Sequence, residues 1–214
     1  MSLFQKKRLY SKKTAEAINE IVSGWVAPYL KDRGYKKNGR TWSKECRDYS
    51  FIINLQTNRW DSQDNGASFV INYGVFVPYL HSVLLEDVPT PKTPKEYDCT
   101  IQRRIDNRIG ANIWWNIYDS TDMDELGTEV CRQLEAQCLT YFASIGSLGD
   151  IAEQLQHSGT GSVGAYLDGA VLNAHLNNPV AKQLFKKEFA HADKNNPEFQ
   201  SKVKKLAEKF GYEV

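Results

Sequence analysis

A chain of 214 residues, 41% of them hydrophobic, is long enough to bury a sizeable core, so folding demands neither disulfides nor a structural metal. Lys and Arg number 27 against 26 Asp and Glu, and the resulting net charge of +1 excludes strong bulk attraction to nucleic acid or to anionic membranes. Cys46, Cys99, Cys131 and Cys138 form no C-x-x-C pair and fit a reducing, cytoplasmic setting. No apolar run approaches the roughly 18 residues of a spanning helix, and the N-terminus lacks the apolar core of a secretion signal.

The chain opens with a basic segment, Lys6, Lys7, Arg8, Lys12 and Lys13, which reads as a solvated arm, with a clamp for a phosphate backbone as the alternative. A helix follows: Ile18, Ile21, Val22, Trp25, Val26, Tyr29 and Leu30 recur at helical spacing. Thr14 can cap its start, Gly34 can end it, and Pro28 should kink it or shift its last turn. After a turn at Asn38-Gly39, three β-rich runs lie close together, at Thr41–Ser43, Tyr49–Gln56 and Ser68–Val77. Pro89, Pro91 and Pro94 mark residues 78–97 as a long loop, and strand character returns at Cys99–Ile105 and Asn112–Tyr118.

A capping box at Thr121–Asp124 starts a second long helix, whose stripe of Leu126, Val130, Leu134, Cys138, Tyr141, Phe142 and Ile145 ends near Gly146. Beyond it the pattern changes to short helices at about 148–157, 163–176, 179–191 and 197–210. The run Gly159–Gly164 fits G-x-G-x-x-G, but Glu153–His157 before it reads as helix, so it is a linker and no dinucleotide fingerprint. The fold class is therefore α+β: an antiparallel sheet of four or five strands against two long helices, with a C-terminal helical appendage. The expected division is an α+β domain over residues 1–146 and a helical region over 147–214.

The segments Gly34–Trp42, Ile53–Gln56, Phe69–Val75, Cys99–Ile105 and the pair Trp114-Trp115 resemble the bacterial family catalogued as domain of unknown function 4304. The likeness covers roughly residues 14–145, and Asn112-Ile113 departs from the acidic residue the family tends to carry before its paired tryptophans. What it implies is a fold neighbourhood and no activity.

Asn54 and Asn72 interrupt the β-branched and aromatic strand runs, where Asn is disfavoured and needs a local reason. By strand alternation, Phe51, Ile53, Leu55, Phe69, Ile71, Tyr73 and Val75 share the core face, covered by Trp25, Val26, Val130 and Leu134. Asn54, Gln56, Asn72, Gly74, Gln102 and Arg104 then face the other way. The candidate ligand-binding set is Asn54, Gln56, Asn72 and Arg104, with Trp114 as an apolar wall and Gly74 leaving room for close approach.

The bland alternative is a solvated sheet face. His81, His157, His175 and His191 show no metal-ligand spacing, and Asp61 with Asp64, or Glu86 with Asp87, read as solvated surface carboxylates, so no metal site and no cofactor is expected. Two functions remain. One is a non-catalytic binding module for a protein or a small polar ligand, as a toxin partner or a regulator. The other is a hydrolase or nuclease-like enzyme using Arg104, Asn54, Asn72 and a loop histidine such as His81 on a phosphate or ester. Membrane partners are not expected, and the charge balance argues against nucleic acid.

Overall fold

The computed structural model describes residues 15–58, 66–106, 114–157, 166–192 and 196–214. The basic N-terminal segment, Thr14, Asp61, Asp64, Asn112-Ile113 and the Gly159–Gly164 run lie outside the described residues. The chain forms two compact units. One takes the described residues up to Val77 together with Pro91–Phe142, and the other takes Pro78–Thr90 and Ala143–Val214.

The first unit begins with helix α1, residues 15–31, whose apolar stripe buries Ile18, Ile21, Val22, Val26 and Leu30. Its turns widen to π-helical over Ile21–Val26, and the N–H of Ala27 reaches back to the carbonyl of Val22. Pro28 supplies the reason: it has no N–H, and its ring collides with the carbonyl one α-helical turn back, so the expected kink is taken up as a wider turn. Beyond Lys31 the chain reverses at Gly34, whose φ of +83° is the left-handed conformation a residue with a Cβ resists.

Among the described residues six strands follow in one antiparallel sheet: β1 (Lys36–Asn38), β2 (Thr41–Glu45), β3 (Ser50–Thr57), β4 (Ala67–Phe76), β5 (Ile101–Arg104) and β6 (Trp115–Ile117). Strands β1 to β5 lie in sequence order, and β6 also pairs with β4. Along the edge of β4 opposite β3, β5 takes Asn72–Val75 and β6 takes Ala67–Phe69. All ten residues of β4 are buried.

The register places Trp42, Ile53, Tyr73 and Arg103 in one row across four strands, and Phe51 with Val75 and Leu55 with Ile71 in the rows beside it. Directly opposed residues share a face, so the seven expected core residues do lie on one side. That side is closed by helix α3, which starts at Met123 and runs to residue 143 with a π-helical stretch at Leu134–Leu139. Asp122 caps it, its Oδ1 accepting from the N–H groups of Asp124 and Glu125 at 3.0 Å each. Phe142 stacks on Phe51 at 4.3 Å and meets Tyr73 edge-on at 5.7 Å. Helices α1 and α3 meet where the ring of Trp25 lies against Gly127, in space that a Cβ there would fill.

The second unit is helical. Residues 78–84, expected as loop, form helix α2 (Pro78–Leu84): Pro78 stands at the first helical position, where an N–H would have no intrahelical partner, and Leu80 is buried. Tyr79 stacks on His175 at 3.8 Å, and Lys202 Nζ donates to the carbonyl of Leu84 at 2.7 Å, so α2 belongs with the C-terminal helices. Those are α4 (Leu148–Gln156), α5 (Leu167–His175), α6 (Val180–His191) and α7 (Pro197–Lys209). Ser147 and Asp150 form a reciprocal capping box at the start of α4, and Asn196 caps α7. Asn173, fully buried, donates to the carbonyls of Gly169 and Ala152 and accepts from Gln156. No described helix is long and apolar enough to cross a membrane.

Two outcomes test this packing. Ile53 is fully buried, and Ile53→Ala should destabilise the protein by about 2–5 kcal/mol in urea unfolding through lost burial and the cavity left behind. In the second unit, burial pushes the carboxyl of Asp168 up to about 6, with Glu188 adding to the rise and Lys202 opposing it. A carboxyl whose pKa is higher folded than unfolded destabilises the fold fully above the folded value and not at all below the unfolded value of about 3.9. Asp168→Asn should therefore raise the urea midpoint above about pH 7, and that gain should disappear as the pH falls below about 4.

Candidate functional site

Asn72 stands in the middle of the central strand and is only 7% exposed, so its amide must find partners inside the protein. It finds them on both neighbouring strands. Its Nδ2 donates to Gln56 Oε1 at 2.9 Å, and its Oδ1 accepts from Arg104 Nε at 2.7 Å. A third contact closes the triangle, Arg104 Nη2 to Gln56 Oε1 at 3.4 Å. The register accounts for it: Asn72 sits opposite Arg104, and Gln56 lies one alternate position along β3 from Asn54, the direct neighbour of Asn72. The exposed guanidinium of Arg104 is thus held from behind by two amides, which leaves it further N–H donors.

These three residues line a cavity of ≈390 Å³ together with Tyr73, Glu96, Tyr97, Gln102 and Arg103. The last of these comes from the opposite face of β5: Arg103 shares its row with Tyr73, and its guanidinium carbon lies 4.4 Å above the ring of Tyr141. The two arginines are consecutive residues of β5 and their guanidinium groups are held on opposite faces of it, that of Arg103 over Tyr141 and that of Arg104 beside Asn72 and Gln56. Glu96 and Tyr97 belong to a single 3₁₀ turn, Glu96–Asp98, secured by Gln102 Nε2 donating to the carbonyls of Tyr97 at 3.3 Å and Cys99 at 3.1 Å. Tyr97 is 71% exposed.

The other expected site residues are placed differently. Asn54 lies opposite Asn72 on the same face, but its Nδ2 donates to Thr41 Oγ1 at 3.1 Å and to the carbonyl of Arg40 at 3.4 Å, tying β3 to β2. Gly74 does permit close approach, but of the chain itself: a Cβ there would run into the carbonyl of Ile101 and come within 2.9 Å of Cys99 Cβ. Cys99, Ile52 and Phe76 form a small buried cluster, so this part of the second face is closed. Trp114 is not among the residues of the polar cavity and lines another, of ≈370 Å³, with Trp115, Tyr118, Asp122 and Glu125.

Burial pushes the Cys99 thiol up, which leaves it a packing residue without thiolate character. His81 sits on α2, in the second unit. Among the described residues, no group of three or more His, Cys, Asp or Glu side chains could hold a metal ion. Glu96, Tyr97 and Arg103 were not anticipated from sequence; the paired arginines at the end of a short strand were the available signal for one of them.

Removing the central amide should show how far the triangle is structural. Asn72→Ala leaves Gln56 and Arg104 without their shared partner, and the expected loss is about 1–3 kcal/mol in urea unfolding. An unchanged midpoint would show that water replaces the amide without loss.

No curated protein and no solved structure gives a significant match to the chain. The model of the family described as "Domain of unknown function (DUF4304)" matches residues 26–144, which takes in the described strands of the sheet and all of α3. With more than half of its length matched, the chain belongs to the DUF4304 family.

Proposed function

We propose that the protein is a cytoplasmic, bacterial, non-catalytic binding module that engages a protein or a small polar ligand through the cavity at Gln56, Asn72 and Arg104. The observation that carries this reading is the braced guanidinium. An exposed arginine whose Nε is fixed by the buried amide of Asn72 and one Nη by the exposed amide of Gln56 presents its remaining donors in a set orientation, an arrangement suited to an oxyanion. The polar groups are mostly engaged with one another, which orients a ligand without supplying a nucleophile. The four cysteines are free thiols, in keeping with a reducing compartment.

The hydrolytic alternative has less support. Of the groups it could enlist, Cys99 is a buried thiol held protonated, and Glu96 is the one carboxylate among the described residues lining the cavity. Arg104→Ala tests the binding reading. In a ¹⁵N-labelled sample titrated with sodium phosphate against sodium chloride of equal ionic strength, shifts should be saturable and centred on Gln56, Asn72, Gln102 and Arg104. The variant should lose that response while keeping the dispersed spectrum of a folded chain, at a cost of about 1–3 kcal/mol in urea unfolding for the donor that Asn72 loses. A response spread over the surface, or one that survives in the variant, would count against an anion-reading site.

A further inference from the structure

Resting on that reading, we infer that the cavity takes a small zwitterion of the amino-acid type, its carboxylate on Arg104 and its ammonium on Glu96. The guanidinium of Arg104 commits its Nε to Asn72 and one Nη contact to Gln56, so the N–H groups left to a ligand lie on the terminal nitrogens. That end-on fork engages both oxygens of a planar carboxylate. Arg103 adds nothing to it, because its guanidinium is held over Tyr141 on the other face of β5.

Glu96 decides what the rest of the ligand carries. Its turn stands on the Arg104 side of the sheet. Gln102, which shares a face with Arg104, donates to the carbonyls of Tyr97 and Cys99, and Cys99 packs with Ile52 and against Gly74 on that same face. Burial first, then the charges of Asp98 and Glu96, push the Cys99 thiol up, in keeping with a Glu96 carboxylate close by. Asp98, the other acid of the turn, accepts from the N–H of Lys95 at 2.8 Å. Among the described residues Glu96 has no such partner, and neither it nor Arg104 forms an ion pair.

One cation and one anion thus line the same cavity without compensating each other. A ligand that is negative throughout meets repulsion at Glu96, and one that is positive throughout meets it at Arg104. A molecule with a carboxylate at one end and an ammonium at the other meets a counter-ion at both. The turn that Gln102 holds keeps the two charges at a constant spacing, and the ≈390 Å³ volume lies within the range of small-molecule sites.

Isothermal titration of the full chain near neutral pH tests it. Glycine, β-alanine, γ-aminobutyrate and ε-aminocaproate are set against their amine-free counterparts acetate, propionate, butyrate and caproate, and against inorganic phosphate. At least one amino acid should bind about threefold or more tightly than its counterpart, the margin of a half-exposed ion pair. The chain length at which the margin peaks reports the spacing between the two charges. Glu96→Gln should erase the margin while leaving the plain carboxylates bound at least as tightly. Arg104→Gln should weaken every carboxylate, with the dispersed ¹⁵N spectrum of a folded chain retained. Amino acids binding no tighter than their counterparts, or a margin that survives Glu96→Gln, would overturn the zwitterion while leaving the oxyanion site standing. An N-acetylated tripeptide binding more tightly than every amino acid would overturn it in favour of a peptide C-terminus. If neither carboxylates nor phosphate bind, the oxyanion reading falls together with it.

Discussion

Burying β4 on both faces along its whole length imposes a condition on everything around it. Ten consecutive buried residues leave no solvent for the backbone, so hydrogen-bonding neighbours are required on both edges, and the apolar side chains require cover above and below. One edge is satisfied by the long pairing with β3, the other by β5 and β6 sharing its length. Placing an amide in the middle of such a strand extends the condition to a side chain. Asn72 is stable there only because Gln56 and Arg104 arrive opposite its two ends, and the same requirement is what makes the arginine rigid.

The rigidity carries the functional argument. A lone arginine on a sheet edge samples many rotamers and gives up that freedom on binding, which weakens each contact it makes. Arg104 has already given up much of it to Asn72, and Arg103 much of it to Tyr141. Arg104, pre-oriented beside the turn that Gln102 fixes, gives its face of the sheet a cation of set direction, even though that face is partly closed by Cys99, Ile52 and Phe76.

Strand alternation made much of this legible before any coordinates. Period-two reasoning separates Phe51, Ile53 and Leu55 from Gln56, and Ile71, Tyr73 and Val75 from Asn72, and the observed register keeps both separations. The helices of the C-terminal half are legible for a similar reason, since their apolar periodicity and caps are local signals. What could not be read depended on contacts distant in sequence. Residues 78–84 look like loop because the prolines after them dominate the composition, and the ring of His175 and the amine of Lys202 that hold α2 lie far along the chain. Gly74 signals close approach without saying what approaches, and the answer is Cys99. Trp114 parts from the polar cavity because β6 pairs at the far end of β4 from β5, a consequence of topology that residue types do not carry.

The placement of α2 bears on how the chain comes to be folded as it is made. Tyr79 and Leu84 leave the ribosome about a hundred residues ahead of their partners His175 and Lys202. During that interval the strands before α2 can pair with one another, since their contacts are local, while α2 waits for the partners of Tyr79 and Leu84. The second unit is thus closed by a segment synthesised before most of the first unit's last strands and its long helix. A pause or a premature stop just beyond Phe142 would yield a chain that has the described strands of the sheet while Tyr79 lacks His175 and the carbonyl of Leu84 lacks Lys202, an unfinished second unit of the kind that chaperones and proteases recognise.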